Sequence, residues 1–225
     1  MIAPVELDDR HERSDTMAGR QDHWNSVYRG RSEEELTWFE ETPSTSLKLV
    51  RLYLKPGDNL IDIGAGASRL VDALLDDGFT SLSVLDLSGS ALDLSRERLG
   101  TRGDSVEWIE ADVTSWRPRR AYAVWHDRAV FHFLTQGDER QAYANVMAEA
   151  LQPAGVAIIA TFADDGPEKC SGLPVVRYTS EGLAQVLNSL VPGKFEMINS
   201  RRHVHITPKG NRQSFQYSVF RRKHP

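Results

Sequence analysis

Cysteine is almost missing. Cys170 stands alone in 225 residues, so no intrachain disulfide is possible. That usage fits a reducing cytosol, and a cytoplasmic location is the expectation. Long apolar runs are missing too. No stretch approaches the ~20 residues of a membrane helix, so no span is expected. Met1 to Gly19 is polar and carries both charges, without the apolar centre of a signal peptide. Residues 1–19 therefore read as a flexible tail. Acids vanish from Met197 to Pro225, where Arg201, Arg202, Lys209, Arg212, Arg221, Arg222 and Lys223 remain. Those charges read as a solvated edge hairpin, and a net charge of −5 argues against a general nucleic-acid partner. Metal-ligand spacing is absent as well. His203 and His205 lie two apart on a strand pattern, with no further ligands at a convincing distance, so no metal is expected.

What the chain does have is Leu60-Ile61-Asp62-Ile63-Gly64-Ala65-Gly66-Ala67-Ser68, followed by a helical pattern over 69–75. This is a buried strand, a tight turn and a helix. Glycines let the backbone approach a ligand, and the helix start offers free N–H groups to an anionic one. A second strand pattern ends in Asp86, 20 residues past Gly66. An acid at that distance suits two ribose hydroxyls. Both signals point to a nucleotide-like cofactor at the carboxyl ends of a parallel sheet. The third glycine of the dinucleotide fingerprint is Arg69 here, which a close helix–strand contact would not accept.

The rest of the chain alternates. Residues 20–30 suit a short helix with Trp24, Val27 and Tyr28 on one face. A helix is expected over 44–54, capped by Thr42 or Ser44. Strands follow over 81–87, 105–109, 121–127 and 155–162, with helices over 88–99 and 138–151. Ser88 is the expected cap of the first of these. A long loop holds Asp164 to Tyr178, and a helix spans 180–190. Strands over 195–206 and 213–221 flank Thr207-Pro-Lys-Gly-Asn211, a hairpin signal that makes the last strand antiparallel. The class is α/β, a doubly wound and mostly parallel sheet with helices on both faces. Residues 20–225 form one domain, with an N-terminal lid segment over 20–54.

Four stretches together resemble the class I S-adenosylmethionine (SAM) methyltransferases: 62–68, 84–88, 110–113 and 124–133. Ser68 replaces the last glycine of that family's turn. The resemblance implies seven strands in the order 3-2-1-4-5-7-6, with strand 7 antiparallel, and SAM as cofactor. It implies that Asp62 fixes the turn and the methionine amino group, and that Gly64 and Gly66 pass beneath the cofactor. Asp86 would accept both ribose hydroxyls, and Leu87 would lie against the adenine. Asp112 would accept from the adenine amino group, with the Val113 N–H near a ring nitrogen. Trp38, with Phe39, resembles a segment that some members fold over SAM.

The stretch Trp125-His126-Asp127-Arg128-Ala129-Val130-Phe131-His132-Phe133 sits where donor and acceptor meet in this family. It lacks the Asn/Asp-Pro-Pro-Tyr/Phe of enzymes acting on DNA bases. His126, Asp127 and His132 are the candidate catalytic residues, as a proton acceptor and its orienting partners. The expected activity is methyl transfer to a small molecule. The alternatives are a protein lysine acceptor and a non-catalytic binding protein of the same fold. A nicotinamide oxidoreductase lacks both the third glycine and a Tyr-x-x-x-Lys pair. Cys170 reads as an inert thiol.

Overall fold

The computed structural model describes residues 17–224. The apolar runs become β1 (Leu60–Ile63), β2 (Leu82–Asp86), β3 (Glu107–Glu110), β4 (Tyr122–Arg128), β5 (Leu151–Phe162), β6 (Phe195–Ile206) and β7 (Arg212–Arg222). They form one seven-stranded sheet in the order β3-β2-β1-β4-β5-β7-β6. The pairs from β3 to β5 are parallel, and β7 runs antiparallel to both β5 and β6. Class and strand order are as expected.

Among the described residues six α-helices accompany the sheet: α1 (Met17–Arg29), α2 (Ser44–Tyr53), α3 (Leu70–Asp76), α4 (Gly89–Leu99), α5 (Gly137–Ala150) and α6 (Ser180–Leu190). The strands' side-chain alternation splits the core in two. Val124 and Ile158 pack with Leu47, Val50, Leu70 and Leu74 of α2 and α3 on one face. Trp125 and Ile159 pack with Tyr143, Met147, Leu183 and Leu187 of α5 and α6 on the other. Each such aliphatic side chain stabilises the fold by roughly 1.5–3 kcal/mol when fully buried.

Several local details depart from expectation. α1 starts at Met17, inside the stretch read as tail; the rest of that stretch, residues 1–16, lies outside the described residues. Pro43 precedes α2 as its cap residue and no side-chain cap bond forms, so neither Thr42 nor Ser44 plays that part. Ser88 does cap α4, its hydroxyl accepting from the Ala91 N–H at 3.2 Å. β5 begins four residues early, at Leu151, because a register shift beside Tyr122 and Val124 admits an irregular start. Gly155 sits in that shift, where a Cβ would lie 2.8 Å from the Gln152 carbonyl. The expected loop over 164–178 holds a two-stranded ribbon, Lys169–Cys170 against Leu173–Pro174. Ser171 and Gly172 turn it with φ of 49° and 81°, the left-handed pair that a two-residue hairpin requires.

Candidate functional site

The site lies where β1, β2, β3 and β4 end. The turn after β1 is held from beneath. Gly64 donates to the Leu85 carbonyl at 2.6 Å, and Gly66 donates to Asp86 Oδ2 at 2.8 Å. Asp86 Oδ1 accepts from the Ser88 N–H at 2.7 Å. A carboxylate has about four acceptor positions, so Asp86 keeps two in reserve. Its burial pushes its pKa up to about 6, against the pull of the backbone N–H groups of Ser88, Gly66 and Leu87.

Both glycines are required by the protein itself. Gly64 has φ of 59°, and a Cβ there would lie 1.9 Å from Val130 Cγ2. Gly66 has φ of 54°, and a Cβ there would lie 2.1 Å from the Tyr28 hydroxyl. The side chain over Gly66 is therefore Tyr28, while Gly64 forms part of the cleft wall.

A cavity of about 130 Å³ opens over these strand ends. Asp86, Leu87, Ala111, Asp112 and Val113 line one end of it. Asp112 Oδ1 accepts from the Thr114 N–H at 2.8 Å and its hydroxyl at 2.7 Å, while Oδ2 faces Arg20 Nη2 at 3.9 Å. Arg128, Phe133, Phe162, Cys170, Gln213 and Phe215 line the other end. Trp38, Ile63, Gly64 and Arg128 are shared with an adjoining recess of about 50 Å³, where Asp62 is found.

α1 roofs the cleft. Trp24 meets Trp38 at 5.8 Å and Phe133 at 5.2 Å between ring centroids, both edge-on. Tyr28 meets Trp38 at 6.1 Å. Polar bonds tie the roof to α5, to the end of β3 and to the cap of α4. Arg20 donates to Glu139 at 2.5 Å, Gln21 donates to Glu110 at 2.8 Å, and Asn25 accepts from the Ser88 hydroxyl at 2.7 Å. Tyr28 is the one buried residue of α1, so this helix has little of its own to hold it without the roofed cleft.

None of the three catalytic candidates lines the main cavity. His126 lies on the α2 face of β4, where Nδ1 meets Asp62 Oδ1 at 2.6 Å and Nε2 meets the Ser46 hydroxyl at 2.9 Å. It borders only the recess. Asp127 points the other way and is fully buried. It accepts from the N–H groups of Val130 and Phe131 at 2.8 and 3.1 Å and from the Tyr143 hydroxyl at 2.6 Å. Burial raises its pKa to about 6 despite those donors. His132 is fully buried; its Nδ1 lies 3.3 Å from the Phe162 N–H and its Nε2 has no partner. Burial, then the Arg128 charge, depress its pKa to about 3, so the ring is neutral across the physiological range.

Arg128 is the side chain that sequence reasoning passed over. It follows Asp127 by one residue, so the alternation of β4 was the available signal. Cys170 reaches the cavity through the ribbon, and burial pushes its thiol up to about 12, which keeps it unreactive. His203 and His205 both approach Glu40, at 3.5 and 3.2 Å. Among the described residues no group of three metal-ligating side chains comes together.

The cleft suits a SAM-like ligand. Asp62 Oδ2 is buried without a partner and borders the recess beside Gly64, as an ammonium group would require. Residues 60–155 match the family model of a methyltransferase domain. The sheet order is the one that the resemblance to class I SAM-dependent methyltransferases implies, so the matched segment and the fold agree.

Particular relatives are distant. The eEF1A lysine and N-terminal methyltransferase homolog of Drosophila melanogaster is 25% identical over 126 residues, 56% of this chain and 19% of that protein. The chain thus spans about a fifth of the length of the curated relatives it matches. The structure of 1,6-didemethyltoxoflavin-N1-methyltransferase from Burkholderia thailandensis, with 1,6-didemethyltoxoflavin and S-adenosylhomocysteine (SAH) bound, superposes with a TM-score of 0.65 at 18% identity, covering 99% of this chain and 94% of that one. The N-methyltransferase NodS of Bradyrhizobium japonicum WM9 with SAH gives a TM-score of 0.67 at 14% identity, covering 90% and 100%. At these identities the two structures speak for the fold.

Proposed function

We propose that this chain transfers a methyl group from SAM to a small-molecule acceptor. The observation that carries this reading is the two-ended cleft. One end offers Asp86 and Asp112 with acceptor positions in reserve, and the other is aromatic and set against Arg128. When bound, the cofactor supplies an electrophilic methyl on a sulfonium. Asp86 takes the ribose hydroxyls with the lone pairs that Gly66 and Ser88 leave free. Asp112 Oδ2 accepts from the adenine amino group, the Val113 N–H faces the ring, and Leu87 lies against it. Asp62 Oδ2 takes the methionine ammonium, and His126 and Ser46 hold that carboxylate in place. Trp24 and Trp38 exclude water from the reacting end.

No side-chain base acts in this reading. His126, Asp127 and His132 hold the end of β4 and the turn beyond it. The acceptor therefore arrives as a nucleophile that sheds its proton without help, such as a thiol or a phenol near its own pKa.

A second reading takes a protein amine as acceptor. Its support is the name borne by the curated relatives, which act on eEF1A lysine and N-terminal amines. Incubation with methyl-labelled SAM separates the two. Label in the metabolite fraction of an extract supports the first reading; label confined to precipitated protein overturns it.

A further inference from the structure

Buried side-chain nitrogens and oxygens without partners are rare in folded proteins, and each one asks for a cause. Among the described residues Arg128 carries two of them, and it lines the cleft. Arg128 Nε and Nη2 are both buried without a hydrogen bond to any carboxylate. Its side chain is 13% exposed. One nitrogen donates to the Trp38 carbonyl at 3.1 Å, and its plane lies 4.8 Å over the Phe215 ring.

The one carboxylate near it does not satisfy it. Glu40 Oε1 is 3.3 Å from Arg128 Nη2, without hydrogen-bond geometry, and the same oxygen faces His205 Nδ1 at 3.2 Å and His203 Nε2 at 3.5 Å. The acceptor end thus holds a guanidinium with two nitrogens to spare. Phe133, Phe162 and Phe215 supply its flat apolar walls. A guanidinium fork matches a carboxylate in two parallel bonds.

Resting on the methyltransferase reading above, we infer that Arg128 anchors a carboxylate of the methyl acceptor. The acceptor class is a small aromatic or otherwise flat molecule bearing an anionic group, which is the handle and not the methylated atom. A lysine ammonium would meet the guanidinium as a like charge. SAM also carries a carboxylate, so the test separates the two sources.

The probes are benzoate and the uncharged benzamide, titrated by calorimetry into the free protein and into the protein saturated with SAH. The SAH-saturated protein should bind benzoate about tenfold or more tighter than benzamide, the scale of a charge-assisted pair. Arg128→Met should abolish that preference and leave SAH affinity within about threefold. Arg128→Lys keeps the charge without the fork and should retain part of the preference. It serves as the second variant if Arg128→Met unfolds, with a thermal melt on both.

Equal binding of the two probes, or a preference that survives in both variants, overturns the inference. So does an Arg128→Lys protein that loses SAH affinity as much as benzoate, since the carboxylate held there would then be the cofactor's. A wild-type protein that ignores SAH overturns the methyltransferase reading instead, and benzoate binding to the free protein still reports on Arg128.

Discussion

Replacing Asp86 by Asn tests the cofactor end of the cleft and the turn together. In the wild type both carboxylate oxygens accept backbone N–H groups, from Gly66 at 2.8 Å and Ser88 at 2.7 Å. An Asn amide keeps one of those acceptors and turns an NH2 towards the other donor. One buried N–H loses its partner, at about 1–3 kcal/mol. For a chain of this size that lowers Tm by roughly 2–4 °C per kcal/mol. Ligand binding loses more specifically. A charge-assisted bond to a ribose hydroxyl contributes about 1.5–3 kcal/mol, so SAH affinity should fall about 10- to 150-fold. Calorimetry reads the affinity, and a thermal melt confirms that the variant is folded. SAH affinity within threefold of wild type in folded Asp86→Asn would refute the assignment of the ribose to this acid.

The pH dependence follows from the same group. Its folded pKa is raised from 3.8 to about 6, so the folded state holds this proton more tightly than the unfolded one. That contribution to stability is full below pH 3.8 and lost as pH rises through about 6. Binding runs the other way, because the ribose needs the ionised form: SAH affinity measured by calorimetry should drop as pH falls below about 6. Gly66→Val should displace Tyr28 and loosen α1, costing about 1–3 kcal/mol in strain besides the clash; hydrogen exchange unchanged over 17–29 would count against it. His132→Asn should leave the shape of the pH–rate profile unaltered near neutrality, since that ring is already neutral; a lost pH break would restore His132 as a base. SAH should protect residues 20–43 from hydrogen exchange more than α5. Deleting residues 1–16 should spare methyl transfer and deleting 1–42 abolish it; equal protection of the two regions would reduce the roof to core packing.

Local features were legible in the sequence. The glycine turn and Asp86 announce themselves because each closes a strand pattern, 20 residues apart, whereas Asp112 came with the family resemblance. The α/β class and the antiparallel last strand followed from alternation and one hairpin, while the strand order came with the family resemblance. The distal half of the cleft was not legible in this way. Arg128, Phe162, Cys170 and Phe215 come from β4, β5, the ribbon and β7, and only the closed sheet brings them together. The catalytic candidates show the limit of reading residue types. Histidine and aspartate at a strand end suit proton transfer, but the twofold alternation of β4 turns His126 to α2 and Asp127 to α5. The ribbon after β5 was hidden because Ser171 takes the left-handed conformation, for which serine gives no local signal. Gly66 read as a ligand contact, whereas the group above it is Tyr28, which is 38 residues earlier in the chain.

The central claim is that the cleft over the strand ends holds SAM. Calorimetric titration of the wild-type protein with SAH, alongside NAD, tests it most directly. The account predicts saturable one-to-one binding of SAH, lost in Asp86→Asn and Asp112→Ala, with no heat from NAD. Binding of NAD in preference to SAH, or no binding of SAH by the folded protein, would contradict it.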